Sequence, residues 1–83
     1  MKNVNFETLK EKTKGGKRYI LFKISIETDF EYCIAVQDSE VSVCGIGNDI
    51  SKANEIYSAL SSAEVSSMHI NDVIRDIENE IFA

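Results

Sequence analysis

The chain has 83 residues, a net charge of −5 and 43% apolar residues. That leaves room for one domain around one core, and it is too apolar for intrinsic disorder. No apolar run approaches the roughly 20 residues of a membrane span. The first residues, Met1-Lys-Asn-Val-Asn-Phe6, lack the continuous apolar core of a signal peptide, so a cytoplasmic location is expected. Two cysteines, Cys33 and Cys44, are too few for a disulfide scaffold and are expected to stay reduced. Charge is split along the chain: residues 1–23 carry +5 and residues 24–83 carry −10. An acidic body with a basic N-terminal edge follows, and only that edge could attract nucleic acid.

Residues 1–17 read as a basic N-terminal strand and loop. Val4 and Phe6 alternate with polar residues, and the run Lys10-Glu-Lys-Thr-Lys-Gly-Gly-Lys-Arg18 then breaks the period. Gly15-Gly16 suits a turn, and the lysines suit a solvated hairpin connection. A phosphate cradle would need the fuller glycine spacing of a P-loop.

Residues 18–47 read as antiparallel strands. Ile20, Phe22, Ile24 and Ile26 share one face of the first, with Lys23, Ser25 and Glu27 on the other. Phe30, Tyr32, Ile34 and Val36 share a face of the second, and Val41 and Val43 mark the third. Such alternation fits antiparallel neighbours covered on one side. A two-residue turn at Asp38-Ser39 would set Ile34 opposite Val43 and Cys33 opposite Cys44, whereas a longer loop would shift the register and separate the thiols. Aligning the apolar faces of the first two strands requires an odd loop or a bulge near Asp29.

Two helices are expected to close the chain. Over residues 50–63, Ser51 is a candidate N-cap, and Ala53, Ile56, Tyr57, Leu60 and Ala63 form one apolar stripe. Over residues 67–82, Ser66 is a candidate N-cap, with Val65 and Ile70 at the spacing of a hydrophobic staple and His69 at the third helical position. Ile70, Val73, Ile74, Ile77 and Ile81 make its stripe, flanked by His69, Asp72 and Asp76. The fold class predicted is α+β: a small antiparallel meander of three or four strands, followed by two helices packed on one face.

Tyr32-Cys-Ile-Ala-Val36, Asp49-Ile-Ser51 and Val65-Ser-Ser-Met-His-Ile-Asn-Asp-Val-Ile-Arg-Asp76 together resemble a family of small uncharacterised clostridial (Firmicutes) proteins. Their closing stretch is of the type S-P-x-H-L-x-D-V-I-E-D. Here Ser67 stands at the usual Pro and Arg75 at the common Glu. The resemblance implies a layout and no activity. A second similarity is to the antitoxin half of HicA–HicB-type toxin–antitoxin pairs, although their aspartate-proline-glycine signature is missing.

The chemistry points away from catalysis. His69 is the only imidazole, and no cysteine has a histidine in its sequence neighbourhood, so no nucleophile, base and orienter can be assembled by motif. His69, Asp72 and Asp76 share a helix flank, but a zinc site wants more His or Cys. No metal and no cofactor are expected. The second helix presents Asp72, Asp76, Glu78 and Glu80 against one Arg75, which excludes it as a DNA-reading helix. The reading is a small cytoplasmic protein-interaction or regulatory module, with a homodimer or another protein as partner. Nucleic-acid or anionic-partner binding through residues 10–18, or an antitoxin-like role, is the alternative. Candidate interaction residues are His69, Asp72, Asp76 and Phe82 on one side, and Lys14, Lys17 and Arg18 on the other.

Overall fold

The structure, a computed structural model, describes residues 3–81. Its elements run β1 (Val4–Lys14), β2 (Lys17–Ile26), β3 (Asp29–Gln37), β4 (Val41–Gly45), α1 (Ile50–Ser62) and α2 (Ile70–Ile81). The strands form one antiparallel sheet in the order β1-β2-β3-β4. The fold is thus an α+β meander followed by two helices, as the patterning predicts.

The basic stretch read as a solvated connection is mostly strand. Lys14 pairs with Lys17, leaving Gly15-Gly16 as a two-residue turn with φ of 61° and 75°. Two successive positive φ values match the twist of the flanking strands, and glycine adopts them without strain. Leu9 is the extra residue of a bulge between Thr8 and Lys10. The bulge breaks the period of two, so the sequence pattern there imitates a loop.

Turn length decides which residues meet. Ile26 pairs with Asp29 across a two-residue turn at Glu27-Thr28, with neither the odd loop nor the bulge expected there. Leu21 therefore faces Ile34 and Tyr19 faces Val36, while Phe22 faces Cys33 and Ile20 faces Ala35. Between β3 and β4 the connection has three residues, Asp38-Ser39-Glu40, closed by Asp38 N–H donating to the Glu40 carbonyl at 2.9 Å. The register slips by one from the two-residue expectation: Ile34 meets Cys44, Ala35 meets Val43 and Cys33 meets Gly45. Cys33 and Cys44 consequently lie on opposite faces of the sheet, since side chains alternate along a strand.

Both helices cover the face carrying Tyr19, Leu21, Ile34 and Val36. These pack with Ile46, with Ala53, Ile56, Tyr57 and Leu60 of α1, and with Ile70 and Ile74 of α2. Two buried tyrosines tie the layers: Tyr19 Oη donates to the Val65 carbonyl at 2.8 Å, and Tyr57 Oη donates to the Tyr19 carbonyl at 2.9 Å. The hairpin tip reaches the end of α1, where Lys14 Nζ donates to the Ser62 carbonyl at 3.4 Å. The Glu64 side chain lies over Gly15, where a Cβ would collide with its carboxylate.

Both helix starts differ from expectation. Asp49, rather than Ser51, caps α1: its Oδ1 accepts from Ser51 N at 2.9 Å and Lys52 N at 3.2 Å. α2 begins three residues later than predicted. Ser66 and His69 close a turn through His69 N–H donating to the Ser66 carbonyl, and the His69 carbonyl then accepts the Val73 N–H. His69 thus stands at the N-cap, and the staple framed on Ser66 is displaced. Asp38 explains the delay. Its carboxylate accepts from Ser67 N at 2.9 Å and Ser67 Oγ at 2.7 Å, holding Ser67 against the β3–β4 turn.

Candidate interaction surface

Seven residues were singled out by sequence, and the structure does not gather them into one site. His69, Asp72 and Asp76 are exposed at and beyond the start of α2. Lys14, Lys17 and Arg18 sit at the β1–β2 hairpin. Phe82 lies outside the described residues. The hairpin cations are engaged locally: Lys14 with Ser62, Lys17 with the Gly15 carbonyl at 3.4 Å, and Arg18 with Glu11 through Nη2 at 2.7 Å. Lys12 lies over the Tyr57 ring, 5.5 Å from its centroid. The Glu11 pairing holds Arg18 above its ordinary pKa, and Arg18 in turn holds Glu11 below the usual carboxylate range. The basic edge is thus spent largely on its own fold.

Among the described residues, no group of three or more His, Cys, Asp or Glu is placed to hold a metal ion. Burial pushes both thiols above their ordinary pKa, with nearby carboxylates adding to the effect. Neither thiol is therefore activated as a nucleophile. Asp38 shows the opposite shift. The Ser67 backbone N–H, the Ser67 hydroxyl and the Glu40 N–H hold its carboxyl at about 2, because all three bonds favour the charged form. It joins two loops and ends no cleft.

The unexplained feature is the sheet face away from the helices. Strand register places Val4, Phe6 and Thr8 of β1 there, beside Ile20, Phe22, Ile24 and Ile26 of β2, Cys33 and Ala35 of β3, and Val41 and Val43 of β4. This includes the set expected to form the core face of β2. Phe6 is 69% exposed, Val41 61% and Val43 55%. The Phe6 and Phe22 rings lie 6.3 Å apart across β1 and β2. Charge is confined to the ends of this apolar band. At one end is the Arg18–Glu11 pair; at the other are Asp29 and Glu31, which pair with Ile26 and Ile24.

Single exposed apolar residues are ordinary, but a contiguous apolar face with a charged rim marks a contact surface. The signal was present in Tyr19-Ile-Leu-Phe22. A continuous apolar run in a strand means that both faces are apolar.

No helix among the described residues is long and apolar enough to cross a membrane. Compared with known proteins, the chain matches no family model, no curated protein and no solved structure. Its functional reading rests on this geometry.

Proposed function

We propose that this chain is a small cytoplasmic protein-interaction module, without catalytic activity, that works through the open face of its sheet. The observation carrying this reading is the four-strand apolar band from Val4 and Phe6 to Val41 and Val43, uncovered by either helix. A sheet apolar on both sides needs a layer on each, and this chain supplies one. Of the candidate residues, Arg18 lies at one end of the band, whereas His69, Asp72 and Asp76 belong to α2 on the other side of the sheet.

The test compares the wild-type chain with a Phe6→Lys/Val43→Lys variant, both expressed in the native cell. Both side chains are more than half exposed, so the variant is expected to fold with an unchanged circular dichroism spectrum. In a gently prepared lysate the wild type is expected to migrate above the 9.3 kDa of one chain, and the variant at that mass. Wild type and variant migrating together at one-chain mass would refute the reading.

A further inference from the structure

We infer that the occupant of the open sheet face is a second copy of this chain, stacked face to face about a two-fold axis that runs across the strands. The inference rests on the interaction reading above and names the partner of that surface.

Shape is the first argument. The band is one side of a sheet, lined by aliphatic side chains and phenylalanines, with a depression at its β2–β3 end, bordered by Ile24, Ile26, Asp29, Phe30 and Glu31. That depression is confined to one end and does not run along the face as a helix-binding groove would. A flat twisted sheet is best matched by another flat sheet at about 10 Å spacing. An isologous contact supplies that match automatically, because both copies carry the same twist and the same patch.

Area is the second. Four strands at about 4.8 Å spacing, over some 30 Å of β2, give a footprint of roughly 500 Å² per copy and about 1,000 Å² for the pair. That reaches the lower limit of a specific interface, and the ridged surface adds to it. A concentration-dependent dimer follows, rather than an obligate one.

Charge decides the orientation. An axis across the strands brings the Arg18 end of one copy over the Asp29 and Glu31 end of the other, while Phe22 and Cys33 stay central. Two of the five N–H donors of Arg18 are committed to Glu11 through Nε and Nη2, which leaves donors for a carboxylate of the second copy. An axis along the strands would instead bring the two acidic ends together. The acidic rim and the net charge of −5 also disfavour an anionic lipid surface as occupant.

Sedimentation equilibrium of the purified full chain tests this, from micromolar to millimolar concentration at low and moderate salt. The expected result is a mass rising toward twice 9.3 kDa, with Phe6→Lys/Val43→Lys held at one chain. Asp29→Arg alone is expected to weaken the dimer about tenfold, since a two-fold axis counts each like-charge contact twice. Adding Arg18→Asp to Asp29→Arg is expected to restore it. Circular dichroism verifies folding of each variant. A wild type that stays at one-chain mass throughout overturns the inference. If that same chain still migrates as a larger species in lysate, the surface has another partner and only the second copy is lost. A dimer indifferent to the Phe6 and Val43 substitutions, or one that Arg18→Asp fails to rescue, overturns the face or the orientation respectively.

Discussion

Replacing Glu64 by glycine is expected to stabilise the protein. α1 ends in a Schellman arrangement: Val65 N–H donates to the Leu60 carbonyl at 3.1 Å and Glu64 N–H to the Ser61 carbonyl at 3.2 Å. That geometry requires a left-handed residue between them, and Glu64 supplies it with φ of 52°. Glycine usually occupies this position because a Cβ there costs about 1–2 kcal/mol. The substitution also removes a negative charge from the carbonyl end of a helix, worth about 0.3 kcal/mol. Against these stands the greater freedom of glycine in the unfolded chain, about 0.4–1 kcal/mol. The net is a gain of about 1 kcal/mol, or a rise in Tm of about 4–8 °C for a domain of this size. Glu64→Ala is the control, because it removes the charge and keeps the strained backbone. It is expected to change stability by no more than about 0.3 kcal/mol. Urea titrations of the three proteins, held at a concentration where all are monomeric, give the comparison. A Glu64→Gly protein no more stable than Glu64→Ala would refute the strain argument. A Glu64→Ala protein clearly less stable than the wild type would mean that the Glu64 contact over Gly15 contributes to stability.

Three further outcomes follow from the same structure. Tyr19→Phe leaves the Val65 carbonyl without its 2.8 Å donor and is expected to cost about 1–2 kcal/mol in urea unfolding; an unchanged midpoint would show that water replaces the hydroxyl. Asp38 is held at about 2, below its ordinary 3.8, so its contribution is complete above about pH 4 and lost as pH falls through about 2. Thermal melts from pH 5 to pH 2 should therefore show a steeper loss for the wild type than for Asp38→Asn, and parallel curves would count against the Ser67 clasp. Mild oxidation of the monomer is expected to leave Cys33 and Cys44 unlinked within the chain, because they occupy opposite faces. A mass two hydrogens lower under denaturing conditions would contradict the register.

What the sequence discloses about this fold, and what it withholds, both follow from the period of two in a strand. The period announces which residues share a side, so a meander of three or four antiparallel strands and the helical stripes are legible, while the second half of β1 reads as a loop. It carries no label for the covered side. In β2 the period marks Ile20-Phe22-Ile24-Ile26 as the apolar side, whereas the covered side carries Tyr19 and Leu21. The turns decided this. Glu27 adopts φ of 58°, a conformation that a non-glycine residue rarely takes and that no local pattern announces. It makes a two-residue turn possible, and that turn sets Leu21 against Ile34 and Tyr19 against Val36. The one extra residue between Gln37 and Val41 then turned Cys44 toward the helices and Val43 away from them.

Two tyrosine hydroxyls help explain why the shorter set is the buried one. Tyr19 and Tyr57 each find a carbonyl acceptor inside the layer, whereas the aliphatic set has no polar group to satisfy. A mostly apolar face has few polar groups whose hydrogen bonds depend on whether it is covered. The misreading of β2 and the candidate surface are therefore the same fact. The pattern that reads most like a core is the side of the sheet that the helices leave open.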